Sequence, residues 1–502
     1  MLTEVKRFMT RQRQSGGKIV SRRGFFERVA DGIYGAALAT LLTQDLFGGS
    51  AASTGAPEAL PAGHRPVYDL EPRKPDFQPK AKAVIQLFMN GGPSHVDLFD
   101  PKQVLDKHDG ESYFDKVFGD LQSPQAAGGL LRSPFQFKQC GKSGIWLSEL
   151  MPHLADQVDN IALIRSMVTV HPNHEQALFA IHSGRTIPGR PSLGAWVVYG
   201  LGSQSRSLPA YVVLDDPLGL PINGIWNWQA GFLPPVYQGT RIRTYGSPIV
   251  DLHPDDEEPS EVARLSSELV ARLDKAHKRQ HPGQLELDAR ISSYELAARL
   301  QLEASDALDI TKESSATREM YGIGQEPTDS YGRRCLMARR LVERGVRFIQ
   351  LYINSQIWDT HTQLASGMRA ASERTDKPIA ALLGDLKQRG LLDSTLVIWG
   401  GEFGRMPIAQ LGAAKEAAGR DHNPRGFSLW MAGGGVKPGT VYGATDEVGY
   451  QAAENPVTVA DWHATILHLL GLNYQTLVFD QSGLKDRLTS VFECRVVKEI
   501  LS

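Results

Sequence analysis

Short apolar runs punctuate this chain, and most of them end in glycine or in a polar turn. Residues 83–89 (AVIQLFM) lead into Asn90, Gly91 and Gly92. Residues 161–164 (IALI), 210–214 (AYVVL), 346–353, 394–399 (STLVIW) and 427–431 follow the same habit. Apolar runs this short, without polar alternation, predict strands buried on both faces. Between them the period changes. Residues 333–344 read as a helix that stops at Gly345, and residues 377–389 (KPIAALLGDLKQR) as an amphipathic helix that stops at Gly390. Residues 454–472 read as a turn followed by a helix ending at Gly471, and residues 258–308 carry Glu, Ala, Leu, Arg and Lys at helical spacing. Strands alternating with helices predict an α/β fold: a doubly wound, mostly parallel sheet flanked by helices over residues 81–480. Residues 258–308 are then a helical insertion, and residues 481–502 a C-terminal tail packing on the domain.

The N-terminus follows another pattern. Residues 1–20 are polar and basic, and Ser21-Arg22-Arg23-Gly24-Phe25-Phe26 leads into a mildly apolar stretch at 29–47, interrupted by Asp31 and Asp45. Small residues follow at 50–53. Paired arginines, a phenylalanine, weak hydrophobicity and small residues suggest a twin-arginine-type signal peptide over 1–52, read by the twin-arginine export machinery. Two charges and several glycines argue against a stable membrane span, which needs about 20 strongly apolar residues. The proline-rich residues 53–80 read as an extended linker. The expected location of the mature protein is the periplasm or cell envelope.

Composition narrows the function classes. Lys+Arg number 54 and Asp+Glu 56, so no global positive field recruits nucleic acid. The three cysteines, Cys140, Cys335 and Cys494, are too few and too scattered for a disulfide framework or a thiolate zinc site.

Chemistry in an open parallel sheet sits beyond the strands' carboxyl ends, and polar residues cluster at those places. Asn90-Gly91-Gly92-Pro93-Ser94-His95-Val96-Asp97 follows the first strand, with Ser94, His95 and Asp97 able to face a site. Arg165, Thr169, His171 and His174 follow the second, at a strand-to-helix junction suited to a nucleophile or an anion. Asp359 and His361, two apart, can both reach one metal. Glu402 and Arg405 stand in GGEFGR, a ligand or general base beside a cation that could neutralise an anionic substrate. Asp421 and His422 come just before the 427–431 run. Each cluster also has a plainer reading as a capped helix, a glycine turn or a surface ion pair. His463 and His468, five apart in an apolar helix, read better as structural histidines.

Taken together, FMNGGPSHVDLFDPK, GIWLSELMPHLA, IRSM, WDTHTQ, GGEFGR, GRDHNP and ATILHLLGL resemble the bacterial domain-of-unknown-function 1501 family. That family is placed with the sulfatase-like, alkaline-phosphatase superfamily. The resemblance spans about residues 80–475 and implies a doubly wound fold carrying one or two divalent ions, zinc or manganese. It implies Asp359, His361, Glu402 and His422 as metal ligands, Arg405 or Arg165 as the catalytic residue that binds the anion, and Thr169 or a metal-activated water as the attacking group. Three departures stand out. Asn90 occupies the place of an Asp ligand, Phe403 that of a His ligand, and no Cys or Ser stands in the sulfatase arrangement that yields formylglycine. A second metal site would then be rebuilt from residues such as His95, Asp97, His171 or His174, with Asn90, Ser94 and Asp421 nearby, or be absent. The implied function is an exported metal-dependent hydrolase of phosphate or sulfate esters, acting on a small-molecule or glycan ester. The alternative is a non-catalytic exported binding or envelope protein on the same fold.

Overall fold

The computed structural model describes residues 69–502, apart from 206, 246–259, 281–306, 354–355, 412–416 and 482. The signal peptide expected at 1–52, most of the linker and the second half of the helical insertion lie outside the described residues. Residues 69–80 run along the domain without regular structure. Their backbone is tied down by bonds such as Arg73 N to the Leu201 carbonyl (3.0 Å) and Lys80 N to the Leu469 carbonyl (2.9 Å).

Nine strands among the described residues build the central sheet. In chain order they are β1 (Ala83–Phe88), β2 (Ile161–Val168), β3 (Tyr211–Leu214), β4 (Thr240–Arg241), β5 (Phe348–Tyr352), β6 (Thr395–Gly400), β7 (Phe427–Ala432), β8 (Thr440–Tyr442) and β9 (Val457–Thr458). Their spatial order is β8-β2-β7-β6-β1-β5-β3-β4, with β9 also paired to β2. Strand β1 lies between β5 and β6, both parallel to it, with Val84 opposite Phe348 and Leu396. Strand β7 runs antiparallel to its neighbours β2 and β6. The principal helices are α1 (His174–Ser183), α2 (Leu193–Leu201), α3 (Ser260–Gln280), α4 (Asp329–Glu343), α5 (Leu364–Gln388) and α6 (Val459–Leu469).

Alternate residues of β1 face opposite layers, as the period of a strand requires. Ile85 and Leu87 join Leu336 and Leu341 of α4 and Leu382 and Leu386 of α5. Val84 and Phe88 join Leu178 of α1, Trp196 of α2 and Ile466 of α6 on the other face. Both faces are covered, so the strands carry unbroken apolar runs, and each fully buried Leu, Ile or Phe contributes about 1.5–3 kcal/mol. The α/β class with a mostly parallel sheet flanked by helices is therefore as expected. At the far end of the chain, Val497 and Ile500 are buried against the domain.

Two elements differ from the sequence reading. The helix expected at 377–389 begins at Leu364 and carries Pro378 in its interior. Its buried face, which includes Leu364, Met368, Ala371, Thr375, Ile379, Leu382 and Leu386, runs at helical spacing straight through the proline. Packing along that face outweighs the lost hydrogen bond. Helix α2 (LGAWVVYGL) carries no periodic signal because it is buried nearly all round.

The topology sets one rim of the sheet. The parallel strands β1, β2, β3, β5 and β6 all end there. Because β7 runs the opposite way, its beginning lies at that rim too.

Candidate metal centre

Four segments meet at this rim. Asn90, Gly91 and Gly92 leave β1. The strand β2 leads through Pro172 and Asn173 to His174, the first residue of α1, where the Asn173 side chain accepts from Glu175 N (3.0 Å) and caps the helix. Residues beyond β5 turn tightly at Trp358, with Asp359 N bonded to the Gln356 carbonyl (2.9 Å) and Thr360 N to the Trp358 carbonyl (3.0 Å). A two-residue ribbon pairs Gly404–Arg405 with His422–Asn423, placing Arg405 opposite His422. The approach is close. A Cβ on Gly91, at φ 107°, would lie 2.5 Å from the Asp359 backbone nitrogen.

His174, Asp359, His361 and His422 each offer a ligand atom, all within 4.8 Å of one another. His361 Nε2 lies 3.0 Å from Asp359 Oδ1, and His422 Nε2 lies 3.2 Å from the same oxygen. His174 Nε2 is 3.3 Å from Asp359 Oδ2, and the Nε2 atoms of His361 and His422 are 2.9 Å apart.

The far nitrogen of each ring decides what these near atoms are. His422 Nδ1 faces the Pro172 carbonyl (2.7 Å), His361 Nδ1 faces Gln410 Oε1 (2.5 Å), and His174 Nδ1 faces Glu402 Oε1 (2.7 Å). The Pro172 carbonyl and the Glu402 carboxylate only accept, and Gln410 turns its amide oxygen to His361, so in a neutral ring Nδ1 carries the proton and Nε2 the lone pair. Three imidazole lone pairs and a carboxylate then point into one space. Such a set repels itself without a positive charge and matches a metal-ligand shell with its outer hydrogen-bond partners.

Electrostatics agrees with this donor set. Burial pushes the Asp359 carboxyl up, but the neighbouring rings of His174, His361 and His422 and the Arg405 charge hold it far below the usual carboxylate range. Burial and the Arg405 charge lower His422 to about 3, so its ring is neutral at working pH. Burial opposes charge on His174, yet Asp359 and Glu402 outweigh it and raise its pKa.

The other sequence candidates fall into place around this cluster. Glu402 stands one step back. It binds His174 Nδ1, accepts from Gly91 N (3.0 Å), and does not reach the shared space. Arg405, fully buried, donates from Nε to the Gly92 carbonyl (2.9 Å), from Nη1 to the Arg420 carbonyl (3.1 Å), and from Nη2 to the Gly91 carbonyl and Asp359 Oδ1 (2.5 Å). It is a brace for Asp359, closed to an incoming anion. Arg165 pairs with Asp100 (3.3 Å), which also takes Lys102 (3.0 Å). Thr169 Oγ1 is buried without a base in hydrogen-bond reach, and His171 Nδ1 accepts from Asn173 N (3.0 Å).

Ser94 donates to Asp97 (2.5 Å), and Asp97 forms a fully buried pair with Arg420, with Nε to Oδ2 at 2.8 Å. His95 faces the Gly449 carbonyl (2.8 Å), and burial lowers its pKa. Asp421 accepts from Gln122 N and Ser123 N (3.0 and 2.8 Å). Asn90 donates to the Ile353 carbonyl (2.6 Å). Asn90, Ser94, His95, Asp97, His171 and Asp421 make no second metal cluster, and the four-residue group stands alone among the described residues. Phe403 fills the flank instead, its ring centroid 4.4 Å from that of His422 and 4.8 Å from that of His174.

Sequence reasoning missed Gln410, the Pro172 carbonyl and Arg420. His463 and His468 lie apart from the site. His463 is buried against the Ile181 carbonyl (2.8 Å), and burial lowers it to about 4.

Residues 81–501 match the family described as "Protein of unknown function (DUF1501)". The sequence matches no curated protein. Solved structures give distant likenesses. A sulfatase from Pseudoalteromonas sp. is 13% identical, over 80% of this chain and 68% of that one, with a TM-score of 0.32. A phosphonate monoester hydrolase from Silicibacter pomeroyi is 11% identical, over 70% and 71%, with a TM-score of 0.30. The zinc-complexed C-terminal periplasmic domain of EcEptC from Escherichia coli is 7% identical, over 87% and 99%, with a TM-score of 0.34.

Proposed function

We propose, from the premise that the chain belongs to the DUF1501 family, that it is a metal-dependent hydrolase of phosphate or sulfate esters. His174, Asp359, His361 and His422 would hold one divalent cation. Three imidazoles with one carboxylate suit zinc or manganese better than calcium. The observation that carries this reading is the convergence of three Nε2 lone pairs on the Asp359 carboxylate, each ring fixed by an acceptor behind it. A cation bound there supplies Lewis acidity toward an ester oxygen and lowers the pKa of water to about 7.

The chain supplies the rest. Asp359 stays ionised, His422 stays neutral, Glu402 orients His174, and Phe403 keeps water from one side of the rings. Thr169 has no base to activate it, so the attacking group is water rather than this hydroxyl. The test is elemental analysis of the folded protein beside Asp359→Ala and His361→Ala, with p-nitrophenyl phosphate and sulfate as substrates. Stoichiometric metal and ester turnover, both lost in the variants, are expected. A well-folded protein without metal would sink the assignment.

The second reading is a non-catalytic binding protein on the same fold. The ring of Phe403 favours it, because it occupies ground that a second metal site would need. Metal retention and glycan binding with no turnover of any ester would select it.

Export by the twin-arginine route belongs to the proposal and rests on the Arg22-Arg23-Gly24-Phe25-Phe26 sequence. Among the described residues no helix is long and apolar enough to cross a membrane. A paired Arg22→Lys, Arg23→Lys variant is expected to stay in the cytoplasmic fraction.

A further inference from the structure

Residues 217–240, which follow β3 at the same rim, contain no Asp, Glu, Lys, Arg or His. In a chain that is 22% charged, this stretch is a sharp local exception. It is also outward-facing in part. Leu218 is 73% exposed, Ile225 59% and Trp226 48%, and Val170 on the path to His174 is 67% exposed. Several large apolar side chains exposed on one short loop of a folded domain mark a surface that binds something.

The loop is built to hold these side chains out. At its base Asp216 is buried in an ion pair with Arg334 (2.7 Å), whose Nη1 also donates to the Tyr352 carbonyl (2.8 Å). Asp215 pairs with Arg241 (2.5 Å). Trp228 is buried with its ring 5.6 Å from that of Tyr352. Asn227, fully buried, donates to the Ile222 carbonyl (2.7 Å). The loop is fastened to the metal centre as well. Asn223, in the left-handed region at φ 67°, donates to the carbonyl of Glu175 (2.9 Å), the residue after His174. The turn Gly224–Trp228, with Ile225 and Trp226 outward, thus lies along the helix that presents His174.

We infer that residues 217–228 are the specificity element of this centre and receive the neutral, apolar part of an ester whose anionic end sits at His174, Asp359, His361 and His422. The inference rests on the hydrolase reading and narrows its substrate. The turn's asparagines direct their amide groups to backbone carbonyls, so apart from the Trp226 indole N–H the exposed face offers alkyl and indole surface rather than donors for sugar hydroxyls. Apart from Glu175 at its edge, the stretch gives a second charged group no partner. The substrate class is therefore an alkyl or aromatic monoester, not a polyanion or a densely hydroxylated glycan.

The test is calorimetric titration of the zinc-loaded full chain with ethyl phosphate and with decyl phosphate below its micellar concentration. The proteins are the natural chain, Trp226→Ser and the double variant Leu218→Ser, Ile225→Ser. These side chains are exposed, so the variants are expected to keep their fold and zinc content, checked by circular dichroism and elemental analysis. Each fully buried methylene is worth about fourfold in affinity. Decyl phosphate should bind at least about tenfold more tightly than ethyl phosphate, and the variants should lose that gap while keeping ethyl phosphate affinity. Equal affinity for the two esters in the natural chain overturns the inference. If neither phosphate binds zinc-loaded protein, the hydrolase reading itself has failed. If the decyl preference survives removal of zinc, and phosphatidylcholine vesicles sediment the metal-free protein, the patch is a membrane contact and the substrate assignment is overturned.

Discussion

In the proposed metal centre a proton and a cation would compete for one atom, His174 Nε2. The two carboxylates that flank the ring raise its pKa, so in the absence of metal the proton is held above the ordinary histidine range. Metal binding must expel it. Zinc affinity should therefore fall as pH drops through neutrality, with protons released on binding, and titration in buffers of different ionisation enthalpy would measure both. Glu402→Gln keeps the shape but removes the charge that orients this ring. A loss of about 10–100-fold in zinc affinity with little change in fold is expected, as for other outer partners of metal-bound histidines. An unchanged affinity would show that Glu402 has no such role. Gly92 carries φ 74°, and a Cβ there would sit 2.5 Å from Phe403 Cδ2. Gly92→Ala should cost about 1–3 kcal/mol, read as a lower denaturation midpoint. At this scale Asp359, His361 and His422 were legible because Asp and His at strand ends are few. The place of Glu402 was not, because only the direction of its side chain separates a ligand from the partner behind one. The Pro172 carbonyl bears no residue-type signal at all.

Helix α5 shows what an element hides from its sequence. Pro378 stands second in the helix expected at 377–389, yet it lies in the middle of a 25-residue helix. Beside it Asp376 is buried and accepts from His153 N and Leu154 N (2.7 and 2.9 Å), joining α5 to the turn before β2. Burial pushes its pKa up to about 6, although those two bonds pull the other way. The unfolded value is about 3.9. Between these pH values the native chain holds a proton that the unfolded chain has released. The contribution of Asp376 to stability therefore falls as pH rises from about 4 to 6 and is flat above. Asp376→Asn cannot ionise. Its stability relative to the natural chain should rise by up to about 3 kcal/mol across that window, measured by urea denaturation at several pH values. A flat difference would mean that the two backbone donors keep the carboxylate ionised throughout. The strands were the more legible elements, because unbroken apolar runs bounded by glycine report burial on both faces directly. Helix α2 was not, since burial nearly all round erases its period.

Across the whole molecule, segments around residues 90, 174, 359 and 422 are joined at one point, and buried ion pairs lock the joint. Asp97 and Arg420 are both fully buried, and Arg420 N also donates to the Thr360 carbonyl (2.9 Å). Arg420→Met would strand a buried carboxylate and should cost about 3–5 kcal/mol, visible as a lower melting temperature. Zinc should act the opposite way, adding about 2.7 kcal/mol at a hundredfold excess over its dissociation constant, with chelator reversing the effect. The α/β architecture was readable from the alternation of runs and helices. The strand directions were not, because hydrophobicity does not record which way a strand runs. His422 precedes β7, and in a uniformly parallel sheet it would have lain at the opposite edge from His174, Asp359 and His361. Only the reversed strand brings it to them. The donor set is thus complete only once β7 lies between β2 and β6. A cation recognises the finished fold and nothing before it. It should slow unfolding while leaving the folding rate unchanged, and in stopped-flow experiments zinc should move only the unfolding limb.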